Sequence, residues 1–396
     1  MPHVGYPPTV RDAQQTALER IRRLSRAGLD VAGFLNEVNP IVTEVVPNRV
    51  GDVQAPYWYT VDPESHLITS VHGQGFDLDP RECAQWELLA DDVNKTAEVL
   101  ANPRGVQTLH EVTDGHPERS AIYLEVMAPN DLAQELAVAL RSATGENWGT
   151  VRLNRGFGDL MFCPHELRFM AAAAPLLAEG VRRGLLVGEA TDPDLPDAPG
   201  VVVVSIDGEV ESTSPSAHQW FERFPTYGGW QDGVPASVFA AAAGAVRDAQ
   251  RGGGGGVSMA RVPTTDGRWV EVHGAVMSTD GGSAATVIIE AAHPERLAPL
   301  LMSIYGLTER ERQVTRQVLM GSSTTELARQ LGMSPHTVQQ HLKNIFDKTD
   351  VGSRGELVAR IYFECYDPRS RDNRSRIKAH RSIRGGPKVT ADAPDR

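Results

Sequence analysis

The chain has 396 residues, 41% of them hydrophobic, and a formal net charge of -12. This length and composition support two or three packed domains and exclude a wholly disordered protein. Three cysteines without a motif spacing argue against a disulfide framework. The first residues lack a secretory leader, and no apolar run reaches the length of a membrane span. We therefore expect a cytoplasmic protein with no membrane partner.

The charge is distributed unevenly along the chain. Residues 300–396 carry 17 Lys and Arg against 11 Asp and Glu, whereas the first 299 carry 22 against 40. A basic end on an acidic body is compatible with DNA binding at that end. Most of the excess lies after Tyr366, in the stretch "RSRDNRSRIKAHRSIRGGPKV". We predict a disordered tail over 367–396, which either adds sequence-independent DNA affinity or only aids solubility.

The first half of the chain predicts a mixed helix and strand domain. Residues 11–27 have the pattern of a helix, and two strand-like runs then flank a turn at Asp62-Pro63. Residues 131–153 contain a second pair of such runs, and a long helix follows from about 163. Together they predict an α+β domain over 11–190.

A second, smaller α+β domain is predicted over 197–295. It follows an acidic, Pro-rich linker at 191–200. The stretch "VVVVSIDGEVEST" predicts a hairpin with its turn at Asp207-Gly208, and "RWVEVHGAV" and "AATVIIEAA" predict two more strands. The run "RGGGGG" at 251–256 lacks the Lys and Ser or Thr of a phosphate-binding loop, so we interpret it as a spacer.

From Leu297 onward the pattern is wholly helical. Capping boxes and a Ser334-Pro335 pair mark four helix starts, and Gly321 and Gly332 lie where helices would end. The three boxes pair Thr308 with Glu311, Ser323 with Glu326, and Ser353 with Glu356. The predicted helices lie near 309–320, 324–331, 335–348 and 354–364. The short gap around Gly332 is the spacing of a helix-turn-helix.

The third of these helices has an unusual polar side. Val338, Leu342 and Ile345 form its apolar stripe, while the opposite side carries amides, hydroxyls and one lysine. Because such groups can read hydrogen-bond patterns on bases, we predict that this helix enters the major groove of DNA. We assign Gln339, Gln340 and Lys343 to base edges, and Ser334, Thr337 and Asn344 to phosphates or the rim. His341 is expected to be structural, and Arg310, Arg312 and Arg316 are either phosphate contacts or surface charges.

The stretch "LTERERQVTRQVLMGSSTTELARQLGMSPHTVQQHLKNIFDKTDVGSRGELVARIYF" resembles the LuxR-type helix-turn-helix domain from Leu307 to about Phe363. The resemblance implies a four-helix bundle over 300–366 whose third helix reads DNA. It also implies that the last helix serves dimerisation, here through Leu357, Val358, Ile361 and Tyr362. Gln339 stands where the family often has Lys, which predicts fewer charge contacts and a shallower salt dependence.

A less specific resemblance extends upstream, to actinobacterial regulators in which two sensor-like domains precede the LuxR-type module. The matching stretches are Asp92 to Lys95, "QTLHEVTDGHPERSAIYLEVMAP" and "WGTVRL". The first domain looks like a GAF-type sensor and the second like a PAS-type fold. The whole chain is thus expected to be multidomain, with two α+β domains before an all-α domain.

The residues upstream show no pattern typical of catalysis or metal binding. His66, His72, His110 and His116 fit no metal-ligand spacing. The acids and bases of "TDGHPERS" are interpreted as a polar loop, since no nucleophile or paired base accompanies them. We therefore predict no metal, no cofactor and no catalytic residue.

The leading hypothesis is a one-component, sequence-specific transcription regulator that binds double-stranded DNA as a homodimer. Its sensor-like domains would bias dimer geometry in response to an unidentified small molecule, and RNA polymerase is a further candidate partner. Two alternatives stay open, both with the helical module as a targeting device. In one the first domain is an enzyme for a small molecule, and in the other the upstream domains are a ligand-free dimerisation scaffold.

Overall fold

A computed structural model describes residues 10–48, 56–73, 79–187, 196, 198–225, 229–252, 256–279 and 282–366. The chain forms two compact units and passes from one to the other between Ala291 and Ala292. We name the described residues up to Ala291 the sheet unit and those from Ala292 the helical unit. The predicted tail at 367–396 and most of the predicted linker at 191–200 lie outside the described residues.

The first sheet of the sheet unit has five antiparallel strands in the order β2-β1-β5-β4-β3. The strands are β1 Tyr57–Val61, β2 Ile68–His72, β3 Val106–Thr108, β4 Leu132–Arg141 and β5 Asn147–Gly156. Its helices are α1 Val10–Leu24, α2 Val31–Val45, α3 Pro80–Leu88, α4 Thr96–Ala101, α5 Leu109–Val112 and α6 Pro164–Gly184. Helix α6 packs on β4 and β5, and α1 and α2 pack on α6. The strand pairs and the long helix predicted from the sequence are confirmed.

The second sheet also has five antiparallel strands, in the order β10-β11-β12-β6-β7. They are β6 Gly200–Ser205, β7 Val210–Thr213, β10 Val257–Pro263, β11 Trp269–Thr279 and β12 Gly282–Ala291, and a two-stranded ribbon joins β8 Trp230–Gln231 to β9 Val234–Pro235. Helices α7 Pro215–Phe221 and α8 Ala236–Gln250 complete this part. The predicted hairpin turn at Asp207-Gly208 connects β6 to β7.

Helix α8 belongs to the cores of both sheets. It packs on β10 and β11 of the second sheet and on β2 and α3 of the first. Small residues on both sides of the contact allow this close approach. A Cβ built on Gly274 of β11 would lie 2.2 Å from the carbonyl oxygen of Ala241 in α8. Ala240 joins a buried cluster with Tyr59 and Ile68 of the first sheet. Both sheets therefore belong to one compact unit, and the predicted boundary between them lies inside it.

The helical unit contains α9 Pro294–Ile304, α10 Glu309–Leu319, α11 Thr324–Leu331, α12 Pro335–Thr349 and α13 Arg354–Ile361, followed by a π-helical turn Tyr362–Tyr366. The last four α-helices begin where the sequence predicted, and α9 precedes them in the same compact unit. Among the described residues, no helix is both long and apolar enough to cross a membrane.

The helix starts of this unit follow from local hydrogen bonds. Thr308 and Ser323 form the predicted capping boxes with Glu311 and Glu326. Ser353 caps α13, but the carboxylate of Glu356 accepts from the N–H of Gly352 at 2.8 Å and from the hydroxyl of Ser353 at 2.9 Å, and not from the N–H of Ser353 as a capping box requires. Each cap satisfies N–H groups that the helix itself leaves without a partner.

Candidate nucleic-acid interface

The turn between α11 and α12 is short and tightly constrained. Gly332 has a φ of +64°, in the left-handed region that favours glycine, and it ends α11. The N–H of Met333 then donates to the carbonyl of Ala328 at 2.9 Å. Ser334 caps α12 by accepting from the N–H of Thr337 at 3.1 Å, and Pro335 occupies the first helical position. These contacts set the direction in which α12 leaves the turn.

One side of α12 is buried in the helical unit and the other is open to solvent. Val338 and Ile345 are fully buried, and Leu342 is 6% exposed, so the predicted apolar stripe is confirmed. His341 is half-buried beside this stripe. The exposed side chains of the opposite face are His336, Thr337, Gln339, Gln340 and Lys343, with Asn344 half-buried among them.

The polar groups of this face differ in how far they are already engaged. Gln340 donates from Nε2 to Oδ1 of Asn344 at 3.2 Å, and the hydroxyls of Ser334 and Thr337 lie 2.8 Å apart. Lys343 makes no hydrogen bond or ion pair with another described residue. The face therefore presents one unneutralised cation and several amide and hydroxyl groups that can exchange partners.

Two cations hold the neighbouring helices in place, and the sequence interpretation did not single out either for this role. Arg354 donates to the carbonyl of Ser322 at 2.9 Å and to the hydroxyl of Thr324 at 3.0 Å, which ties the start of α13 to the start of α11. Lys348 donates to Glu311 at 2.7 Å and to the carbonyl of Gly306 at 3.0 Å. For the contact between Lys348 and Glu311, the sequence offered only a basic residue in the third predicted helix and a capping glutamate at the start of the first.

The Lys348–Glu311 pair is partly shielded from solvent. Glu311 is 3% exposed. Burial by itself would raise the pKa of this carboxyl, but the hydrogen bonds from Lys348 and Thr308 outweigh it, and the pKa lies below its ordinary value. The pair therefore links the N-terminus of α10 to the last turn of α12 in the charged state.

The arginines of α10 differ from one another. Arg312 is half-buried and donates from Nε to the carbonyl of Leu307 at 2.8 Å. Arg310 and Arg316 are exposed, with Arg310 bonded to Gln313 at 2.7 Å and Arg316 lying 3.6 Å from Glu309. Arg310 and Arg316 thus remain the two accessible candidates for phosphate contacts on this helix.

The predicted dimerisation residues fall on two faces of α13 and the turn after it. Leu357 and Ile361 are fully buried, because their spacing of four places both on the side that packs into the unit. Val358 and Tyr362 are 38% and 44% exposed. Of the four predicted residues, Val358 and Tyr362 are therefore the ones that a second copy could reach.

The stretches that carried the upstream resemblance meet in a buried polar network of the first sheet. Arg152 donates to Glu135 at 2.7 Å and to Glu87 at 2.9 Å. It also donates to the carbonyl of Asn94 at 3.0 Å. Asp92 accepts from the hydroxyl of Ser120 at 3.1 Å. These residues hold α3, β4, β5 and the loops between them together, which gives the matching stretches a structural role.

The four histidines considered for metal binding do not form a site in the structure. His72 bonds to Ser70 at 2.9 Å, and burial lowers its pKa to about 4. His116 bonds to Glu118 at 2.9 Å. Within the described ranges, the group that could hold a metal ion is a different one: Nε2 of His273 lies 3.0 Å from Glu271 and 3.8 Å from Glu290.

A Cys–His pair at the start of α6 was missed by the sequence interpretation, although a Cys-x-His spacing at a helix start could have indicated it. Sγ of Cys163 lies 3.1 Å from Nδ1 of His165 and 3.0 Å from Oε2 of Glu166. Burial and the neighbouring carboxylate raise the pKa of the thiol. A protonated thiol is a poor nucleophile, so the pair gives no support to the enzyme alternative.

Comparison with known proteins agrees with the geometry of the helical unit. Residues 306–361 match the family described as bacterial regulatory proteins, luxR family. The monoamine regulon transcriptional regulator of Klebsiella aerogenes is 48% identical over 56 residues, which cover 14% of this chain and 25% of that protein. The transcriptional regulatory protein UhpA of Escherichia coli is 41% identical over 56 residues, 14% of this chain and 29% of that protein.

The family match lies at residues 306–361, and the chain spans about a quarter of the length of these relatives. Among solved structures, a bacteriophytochrome from R. palustris is 13% identical and covers 73% of this chain and 64% of that one, with a TM-score of 0.27. Residues 306–361 are a LuxR-type helix-turn-helix domain, as the sequence predicted.

Proposed function

We propose that the protein is a DNA-binding transcriptional regulator that reads the major groove with α12. The observation that carries the proposal is the exposed, largely non-ionic face of α12, held by a capped three-residue turn inside a LuxR-type domain. The second helix of such a pair places its N-terminal residues against base edges. The relatives named as transcriptional regulators support the same function.

Each residue of the face has a proposed role. Gln339, Gln340 and Lys343 meet base edges, since amides can pair bidentately with adenine and lysine with guanine. Ser334, Thr337 and Asn344 contact phosphates or form the rim. Gln340 would exchange its intrahelical bond to Asn344, 3.2 Å long, for a bond to a base, so its contribution is a difference between two bonds.

The rest of the chain would control how the domain meets DNA. We propose a homodimer on DNA, with Val358 and Tyr362 at the contact between copies, acting in the cytoplasm alongside RNA polymerase. The sheet unit would be a sensor without enzymatic activity, with GAF-like and PAS-like parts, that biases the dimer toward one half-site spacing. Because α8 packs on both sheets, the sheet unit is compact, which supports the transmission of a signal through it as one body.

The test is a randomised-duplex selection with the whole chain at a stated salt concentration, beside a Gln340→Ala, Lys343→Ala double variant. A Gln15→Ala, Arg22→Ala variant on the exposed side of α1 is the matched control. We expect a two-fold symmetric site that the control retains and the double variant loses. Gln340→Ala alone should cost ~1–3 kcal/mol at one base position.

Lys343→Ala distinguishes between two kinds of contact for that lysine. If it meets a phosphate, binding weakens on every sequence and the salt slope falls by about 1. If it meets a base, the loss is confined to one position. Should neither single variant change binding, α12 is not the reading helix. Absence of any selected site with both the whole chain and residues 292–366 would overturn the proposed function.

A further inference from the structure

A cleft of about 610 Å³ lies at the edge of the first sheet, between β3 with α5 on one side and the first half of α6 on the other. It is part of the sheet unit alone. Its α6 wall consists of Pro164, Leu167, Arg168 and Ala171, which recur at helical spacing and so share one face of the helix. This volume is within the usual range of small-molecule sites, about 300–1,000 Å³.

The walls of the cleft are mainly apolar. Val106 of β3, Leu167 and Ala171 of α6, and Phe162 before α6 contribute to them. Met161 at the rim is 53% exposed. A water-filled cleft with such walls is unfavourable, and an apolar molecule bound there would remove this surface from water.

The polar groups of the cleft favour an anion. Arg168 is exposed and makes no ion pair with another described residue. Glu111 does not neutralise it, because one oxygen accepts from the N–H of Thr108 at 3.0 Å and the other lies 3.4 Å from Arg104. The two guanidiniums therefore leave one net positive charge at the cleft, and a guanidinium binds a carboxylate through two parallel hydrogen bonds.

A further group in the wall lacks a hydrogen-bond partner among the described residues. Nδ1 of His110 is buried and has no hydrogen bond to the described residues. Buried polar atoms of this kind are uncommon and call for an explanation. Solvent does not reach this nitrogen, so the proposed contact of the cleft with a ligand does not depend on it.

We propose that this cleft binds a small amphipathic carboxylate, with its carboxylate on Arg168 and its apolar body along Val106, Leu167 and Met161. The site requires nothing of the helical unit. If the proposed regulatory function holds, it names the chemical class of the signal, and the test contains no DNA, so the two proposals succeed or fail separately.

The test is calorimetric titration of the whole chain with octanoate, and with 1-octanol as the probe that keeps the apolar body but lacks the charge. We expect saturable one-to-one binding of octanoate and binding of octanol weaker by about tenfold or more. Arg168→Gln should lower octanoate affinity by about tenfold or more. Arg22→Gln, which removes an exposed arginine from α1, should leave it unchanged.

A second variant tests the place of binding. Ala171 is exposed on the cleft side of α6, so Ala171→Trp fills the cleft without entering the core and should abolish binding at an unchanged melting temperature. No saturable binding of octanoate overturns the proposal. Equal binding by Ala171→Trp also overturns it, because the ligand would then lie elsewhere. Equal affinity for octanol and octanoate removes the role assigned to Arg168.

Discussion

The polar contacts described within the sheet unit join residues far apart in the chain, whereas those that start the helices of the helical unit join close neighbours. In the helical unit the caps join residues three apart, such as Ser323 with Glu326. In the sheet unit Arg152 pairs with Glu87, 65 residues away, and Arg261 pairs with Asp62 at 2.7 Å across 199 residues. Local contacts can be read from spacing, whereas distant ones depend on how the sheets are assembled. This difference explains why the helical unit was the more predictable of the two.

The largest effect is expected from a substitution that breaks the Arg152 network, whose members lie far apart in the chain. Arg152→Met leaves Glu87 and Glu135 buried without their cation, and should cost about 3–5 kcal/mol in the free energy of unfolding of the sheet unit. All six tryptophans precede Ala292, so tryptophan fluorescence during urea unfolding follows this unit alone. Arg23→Met, an exposed arginine on α1, is the control. A loss below about 1 kcal/mol would show that the network is not a main source of stability.

A smaller effect is expected from the Lys348–Glu311 ion pair, which links two helices of the helical unit. Lys348→Met removes the cation from Glu311, and should cost about 1–2 kcal/mol, because Lys348 is still one-third exposed and partly screened. Amide hydrogen exchange in peptides of α10 and α12 measures this local stability. Lys343→Met, on the same helix, should leave exchange unchanged. Equal effects of the two variants would contradict a specific pair.

The turn between α11 and α12 offers a third test, of a feature that depends on a single residue. Gly332 has a φ of +64°, and a Cβ built there meets nothing within 4 Å. Gly332→Ala should therefore cost only the backbone strain, about 1 kcal/mol, with no clash. Gly355→Ala, inside α13 and with ordinary helical backbone, should instead be neutral or stabilising. The exchange rates of the α11 and α12 amides distinguish the two variants.

The smallest expected effect is a loss of stability of the helical unit at acid pH. The folded pKa of Glu311 lies below its unfolded value of about 4.3. Its contribution is thus complete above that pH and is lost as the pH falls through the folded pKa. Between pH 5 and about 4 the loss should be only about a few tenths of a kcal/mol. Exchange corrected for intrinsic rates should show it in wild type and less of it in Lys348→Met.

The sequence interpretation was most accurate for features that depend on residues within a few positions of one another. Ser334 before Pro335 predicted the start of α12, and Val338, Leu342 and Ile345 predicted its buried stripe. It was less complete for α13, where an apolar composition did not separate Leu357 and Ile361, which are buried, from Val358 and Tyr362. Helical spacing alone does not say which of two adjacent apolar stripes faces the core.

Other features of the candidate sites required the folded chain. Sequence spacing did not predict that Arg168 would share a cleft with His110. The role of α8 was equally hidden, because an alanine-rich helix predicts burial but not against which sheet. Only the assembled sheets place Ala240 beside Tyr59.

By itself the sequence determined the helix starts, the helix-turn-helix spacing, the polar face of α12 and the strand pairs around tight turns. These depend on hydrogen bonds and side-chain periodicities within a few residues, which any chain with those residues would share. The tertiary structure alone decided the partners of Arg152 and Arg261, the sharing of α8, the exposed part of α13 and the cleft beside α6. Those features arise from contacts between residues far apart in the chain, and their geometry exists only once the sheets have formed.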